Sequence, residues 1–441
     1  MTKRILVGSV IGTALVAVVV AVTAGGAVAH RSAATPLPAS SCSGIQGTGD
    51  KLIASDLPLQ GAGRTQTIQM TKAIAYVFEA AGWKAGSTTL AYQSCDDATA
   101  QAGKWDSGKC STNASAYAAD ASVIGEIGTF NSGCAEIEIP INNRAPSGPL
   151  AQISPANTYV GLTHGGPGTA AGEPGKYYPT GKRNYARVVA ADDFQGAADA
   201  TLAQQLGIKK VFILNDKEAY GLGVATNFKN AALKLGIKVV GFTAWDGKAS
   251  SYEATAGKIK QSGAQGVFLG GLICENGGKL IKDLVAGAPG VKILAPDGFT
   301  PISAVVQQSG GKANGMTVSV AGLPVVNLPP AGQAFGKAFC SKKGSSGAGG
   351  TGGTGGQPDP YSVYAAAAAQ VFLAAIAASD GSRASVTDQV FTVHAKTVLG
   401  TIAFNKNGDV TSNPVTIYKV ANGKSTTLKV IVPKNSLVAA A

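Results

Sequence analysis

Short apolar runs alternate along the chain with stretches whose apolar residues recur at helical spacing. Residues 51–57, 88–93, 121–127 and 149–153 read as buried strands. Between them, residues 65–81, with Ile68, Ala75 and Phe78 on one side, residues 113–119 and a segment beginning near Cys134 read as helices. After an irregular Gly-, Pro- and Tyr-rich stretch at 160–186 the alternation resumes. Helices are predicted at 195–206, 224–235, 254–261 and 280–287, and strands at 210–214, 239–243, 266–270 and 293–295. Strands that alternate with helices in this way predict parallel sheets, here two of them. A third section opens with an apolar strand at 316–320. Phe335 and Phe339 follow on a helix, then an Ala-rich helix at 361–378. Residues 398–404 and 415–420 close the chain as a β-ribbon turned at Asn407-Gly408.

The stretch from Val123 to Thr158 is the centre of this pattern. One apolar run ends in Gly128-Thr129-Phe130-Asn131-Ser132-Gly133, the next in Ser154-Pro155-Ala156-Asn157-Thr158. Open α/β sheets bind ligands at the carboxyl ends of strands, and the N–H groups that start the next helix favour an anionic group such as a carboxylate. Ser, Thr and Asn are also ordinary helix caps, so the turns alone leave capping and ligand binding both open.

Composition and compartment narrow the picture. Met1-Thr2-Lys3-Arg4 is a basic head on an apolar run over residues 5–23, and Ala27-Val28-Ala29 is an A-x-A cleavage site, so residues 1–29 read as a secretory signal peptide. Cys42 follows Ala39-Ser40-Ser41, without a Leu three residues before it and far beyond the apolar run, which argues against lipidation there. Removal leaves about 410 residues, enough for two domains of about 100–200 each. No later run reads as long and apolar enough to span a bilayer. Residues 30–50 begin Ala-, Pro- and Ser-rich and are expected to form a flexible leader. All six Cys lie beyond residue 29, which in an exported chain predicts disulfides. Cys95 and Cys110 flank one loop and are the favoured pair; Cys274 with Cys340, and Cys42 with Cys134, are the remaining guesses.

The formal charge of +12 is spread over scattered lysines, as at Lys209, Lys210, Lys229, Lys234 and Lys238. No dense basic run or interleaved aromatics accompany it, so a solvated surface is expected and nucleic acid is not. Gly350, Gly352 and Gly355 formally spell G-x-G-x-x-G within the low-complexity stretch 344–356. No strand leads into it and no helix follows directly, so no dinucleotide or other cofactor is expected. The three His (His30, His164, His394) lack metal-ligand spacing, and there is no G-x-S-x-G or Cys-x-x-Cys; neither a metal nor an enzyme is expected.

With these turns in place the chain, from about Lys51 to Lys429, resembles the type I periplasmic binding proteins, nearest the solute receptors of branched-chain amino acid ABC transporters. The resemblance rests on Ile124-Gly125 with Asn131-Ser132-Gly133 and on residues 153–158. It also rests on Asp192-Asp193-Phe194-Gln195-Gly196, on Asp216 with Tyr220-Gly221-Leu222-Gly223, and on Pro296-Asp297-Gly298. It implies an α/β fold of two Rossmann-like lobes, with ligand in the cleft between them and a three-crossover hinge near 186–192, 300–314 and 380–400. Residues 51–188 with 312–385 would form the N-lobe, and 189–311 with 386–441 the C-lobe.

By the same resemblance, Ser132, with Asn131 beside it, would hold a ligand carboxylate together with Ala156 and Thr158. Tyr220 would cover the ligand, and Asp297 would take its ammonium where the family commonly has Glu. A zwitterion needs such fixed dipoles at one end and a carboxylate at the other. The chain departs from the pattern at Leu272, where a second aromatic is usual, at the shorter Asp297, in the long loop 96–112, and in the Gly-rich insert. The implied role is a monomeric, exported receptor, in the periplasm or on the outer face of the membrane. It would carry an aliphatic amino acid to ABC permease subunits. The alternative is a sensor of amides or other small solutes, working with a membrane signalling partner.

Overall fold

The computed structural model describes Met1 and residues 33–341 and 357–438. Apart from Met1, the expected signal peptide lies outside the described residues, as does the Gly-rich stretch 344–356. The first half builds β1 (Lys51–Leu57), α1 (Arg64–Ala80), β2 (Thr88–Asp96), α2 (Ser107–Ala119), β3 (Val123–Gly128), α3 (Ser132–Asn143), β4 (Gln152–Ser154) and β5 (Tyr185–Arg187). The second runs α4 (Asp192–Gln205), β6 (Lys210–Asn215), α5 (Ala219–Lys234), β7 (Lys238–Ala244), α6 (Glu253–Gln261), β8 (Gly266–Gly270), α7 (Gly277–Gly287), β9 (Lys292–Ala295), α8 (Ile302–Gln308) and β10 (Thr317–Ala321). Helices α9 (Pro330–Ser341), α10 (Pro360–Ala377) and α11 (Arg383–Val390) follow, then a hairpin at 395–402 and β11 (Val415–Ala421) with β12 (Lys424–Ile431).

The two sheets share one topology. Their parallel strands run β2-β1-β3-β4-β5 and β7-β6-β8-β9-β10, and the second sheet is extended by antiparallel β11 and β12. In each, successive strands leave in opposite directions from one central strand, β1 or β6, which opens a crevice at the carboxyl edge there. Alternation along the strands explains the layers. Ile53, Ile124 and Ile153 face a core shared with α1 and α10, whereas Leu52, Ala54 and Val123 face Tyr117 of α2. In the second sheet Phe212 and Leu214 meet α6 and α7, while Val211 and Ile213 meet α4 and α5. Each such side chain contributes about 1.5–3 kcal/mol when fully buried. Among the described residues α10 is long and apolar enough to cross a membrane, contrary to the sequence expectation; it is mostly buried, as the core helix of the first lobe.

Three expectations are corrected. Strand β10, expected in the first lobe, pairs with β9 and β11 and so belongs to the second sheet. Helix α11, expected in the second lobe, docks on the first: the Arg383 guanidinium donates to the carbonyls of Tyr117, Ala118 and Val123. The chain therefore passes between sheets at 188–191, after β10, and at 403–414. The closing ribbon pairs β11 with β12, not with 398–404, because the latter folds back on 395–397.

Residues 34–50 are not a loose leader. Leu37 is buried and its N–H donates to Gln93 Oε1, while residues 46–47 pair with β2. The disulfides are Cys42–Cys95 and Cys110–Cys134. Cys95 ends β2 beside Cys42, whereas Cys110 lies in the first turn of α2 and faces α3, so the two cannot pair with each other. Cys274 and Cys340 are free.

Ion pairs tie two of the crossings together. Arg187, at the end of β5, donates through Nε to Asp409 Oδ1 at 2.8 Å and through Nη1 to the carbonyls of Asn157 and Tyr159. His164 sits between Asp409 and Asp193. Burial pulls its imidazole down, but the two carboxylates prevail and push it up to about 9.

A cluster of acids, Asp56, Asp97, Glu126 and Glu138, is fully buried between the first sheet and α2–α3. Burial pushes Asp56 and Glu126 up to about 7 and Asp97 and Glu138 well above the usual carboxylate range. Folded, these groups stay protonated where the unfolded chain would ionise. Their stabilisation is therefore complete below the unfolded values, near 4, and is lost as pH rises towards about 7. The melting temperature is expected to fall as pH rises from about 5 to about 7.5, and Glu138→Gln is expected to flatten that slope. A melting temperature that climbs over this range would contradict the assignment.

Candidate functional site

The crevices of the two sheets face each other. From the first lobe, β3 ends into α3, whose N-cap is Asn131 and whose first residue is Ser132. The Asn131 side chain makes no cap hydrogen bond and is free for another partner. Ser132 Oγ accepts the Tyr159 N–H at 3.4 Å, leaving its own proton available. The neighbouring turn after β4 is shaped by Ser154, whose Oγ accepts the N–H groups of Ala156 and Asn157. Arg187 holds the carbonyls on either side of Thr158, so that turn is clamped from behind. The first N–H groups of α3 have no partner within the helix and make the crevice attractive to an anion.

From the second lobe come Tyr220, in the first turn of α5, and Asp297, after β9. Asp297 is 5% exposed. Tyr220 donates its hydroxyl to Asp297 Oδ1 at 2.6 Å, and Tyr361 of α10 donates to Oδ2. Gly298 donates its N–H back to the Tyr220 oxygen, and a Cβ at Gly298 would lie 2.2 Å from the Gly271 carbonyl. Only glycine permits that approach. Burial holds the Asp297 carboxyl above its usual range, although both tyrosines work against it. Asp192, fully buried at the first crossing, is raised further by burial and by the charge of Asp297.

All six residues singled out in the sequence, Asn131, Ser132, Ala156, Thr158, Tyr220 and Asp297, line one cavity. Phe130, Glu218, Leu272, Gly298 and Tyr361 complete it. Leu272, noted as a departure from the resembled receptors' usual aromatic, lies in the wall of the cavity. Tyr361 was missed because it opens an Ala-rich helix that reads as pure core; the preceding Asp359-Pro360, a helix start, was its only signal. Glu218 was missed because it falls in the polar turn before the helix expected at 224–235, whereas it caps the helix that starts at Ala219. Among the described residues the lining carries two carboxyl side chains and no Lys, Arg or His. About 20 Å³ of free space remains, roughly the room for one water. The lobes are closed on one another.

A strap reinforces that closure. The loop between β2 and α2 sends Lys104 Nζ to Glu218 Oε1 at 3.0 Å and to Glu275, both in the second lobe, and Trp105 Nε1 to Glu218 Oε2 at 3.3 Å. The Trp105 ring lies over Gly133, where a Cβ would approach it to 2.5 Å. Partial burial pulls the Lys104 ammonium down, but the carboxylates outweigh it and hold the group above its ordinary range.

Two lobes with a cleft between them are what this fold defines. A family model described as "Periplasmic binding protein" matches residues 147–425, more than half of the chain. The chain belongs to that family, one of receptors and not of enzymes. It is 30% identical over 135 residues to the leucine-, isoleucine-, valine-, threonine-, and alanine-binding protein of Pseudomonas aeruginosa, a match covering 30% of this chain and 36% of the relative. It is 26% identical over 174 residues to Leu/Ile/Val-binding protein homolog 1 of Brucella abortus, covering 39% and 42%. The chain thus spans about a third of the first of these relatives and well under half of the second. Among solved structures, the leucine binding protein LivK of Thermotoga maritima superposes with a TM-score of 0.72 at 20% identity, over 87% of this chain and 99% of that one. A solute binding protein from R. palustris in complex with benzoate gives 0.68 at 18% identity, over 88% and 97%. These two establish the shared fold.

Lys104→Met is expected to loosen the closed arrangement. Small-angle X-ray scattering of the ligand-free protein should show a larger radius of gyration for the variant than for the parent, and the parent should approach it in high salt. Identical radii would mean that closure does not depend on the strap.

Proposed function

We propose that the protein is an extracytoplasmic solute receptor that closes on a small aliphatic amino acid and presents it to an ABC permease. The observation that carries this reading is the polarity of the cleft. Asp297 stands at one end, buried and held by two phenols; the start of α3, with Ser132 and Thr158, stands at the other. An ammonium would replace the water that Asp297 has lost, and a carboxylate would take the N–H and hydroxyl donors. Leu272 and Phe130 give the side chain an apolar wall.

The Pseudomonas relative is named for binding leucine, isoleucine, valine, threonine and alanine, and the Brucella relative as a homolog of a Leu/Ile/Val-binding protein; both names support the same ligand class. The benzoate complex of a structural neighbour suggests an aromatic acid instead. Such a ligand has no ammonium to meet Asp297, the lining carboxyl that no cation pairs among the described residues, Glu218 being held by Lys104, so the amino acid is favoured. Export and the permease partnership follow from the family as proposals. Ligand bridging both lobes would shift the population towards the closed form that a permease recognises.

A thermal-shift screen of residues 30–441, oxidised and stripped of ligand, tests this. Leucine, isoleucine or valine at a hundredfold excess over Kd should stabilise the protein by about 2.7 kcal/mol, and Asp297→Asn should abolish the shift. Because a proton competes with the ammonium for Asp297, affinity should weaken as pH is lowered through the raised value of that carboxyl. A shift with benzoate and none with any amino acid would overturn the zwitterion site.

A further inference from the structure

The cleft is not the most spacious cavity near Asp297. On the far side of Tyr361 lies another of about 240 Å³. Its walls come from both lobes: Gln66 of α1 and residues 358–361 from the first, Ser303, Tyr418 and Thr427 from the second. Gln66 is 2% exposed, yet both its amide oxygen and its amide nitrogen lack a hydrogen-bond partner among the described residues. It lies near the Asp359 carboxyl without completing a bond of normal geometry. Two unsatisfied amide atoms carry a desolvation cost that a bound partner would relieve. A buried primary amide that offers a donor beside an acceptor is complementary to another amide. The rest of the lining is Pro, Val and Ile with hydroxyl side chains, the Asp359 carboxyl and the exposed amide of Gln357, and among the described residues no Lys, Arg or His lines it to hold an anion.

We propose that this cavity is a second small-molecule site, separate from the amino acid cleft, which takes a neutral aliphatic carboxamide paired with Gln66. A cavity of about 150 Å³ already accepts benzene when its walls are apolar, so six heavy atoms fit the volume here. The occupant touches both lobes and shares Tyr361 with the cleft, so it favours the closed arrangement.

Isobutyramide is the probe, measured by isothermal titration on the full oxidised chain. The parent should bind it; Gln66→Leu, which keeps the side-chain bulk and removes the amide, should weaken binding at least tenfold. Ser303→Trp, which fills the cavity from the other lobe, should do the same, and serves if the Gln66 variant misfolds. Ser132→Ala, which alters the cleft without touching Tyr361 or a contact between the lobes, should leave isobutyramide binding intact, and this holds whether or not any amino acid binds the cleft. The proposal is overturned if the parent ignores isobutyramide, or if Ser132→Ala abolishes binding while Gln66→Leu and Ser303→Trp retain it, which would put the amide in the cleft.

Discussion

The carboxylate of Asp297 is held by one phenol from each lobe, and much of the closed structure turns on that arrangement. Tyr220 and Asp297 belong to the second lobe and Tyr361 to the first, so the Tyr361 hydrogen bond crosses the cleft. A carboxylate removed from water needs donors or a cation. Here neutral donors satisfy it in part and no cation offsets its charge among the described residues. The same contact positions Gly298 under the Tyr220 oxygen and excludes any larger residue there. Behind it, Arg187 and Asp409 fix the crossings about which the lobes would move.

The fold was legible because both sheets carry their apolar runs in the same order, with a helix between each pair. The six cleft residues were legible only through the family resemblance, because converging strand ends of an open parallel sheet bring distant turns such as 131–132, 156–158, 220 and 297 together without any local sequence signal joining them. Pairing beyond the alternation was not legible. Strand β10 is one apolar run among several, and only its hydrogen bonds to β9 and β11 assign it to the second sheet. Cys110 looked like the far lip of a loop because the helix holding it begins earlier than its apolar spacing suggests, at Ser107.

Tyr361 and Lys104 show a different limit. Each acts across the gap between lobes, and what a side chain meets there depends on how two independently folded sheets are set against each other. Local pattern carries no record of that. Tyr361 stands on an Ala-rich helix whose remaining residues serve the first core, and Lys104 in a loop that reads as an extra. The physics becomes visible only when Glu218 and Glu275 are found opposite.

The strap also sits between two cystines. Lys104 and Trp105 occupy the span from Cys95 to Cys110, and each end is tied to the lobe through its own bond, to Cys42 and to Cys134. Cross-links act by removing freedom from the chain they bracket. In a freshly made, reduced chain both anchors are absent, and the ordering entropy of the loop is set against the ion pairs it forms. Oxidation shifts that balance towards the clasped state, so the cross-links of the first lobe also bear on its grip on the second.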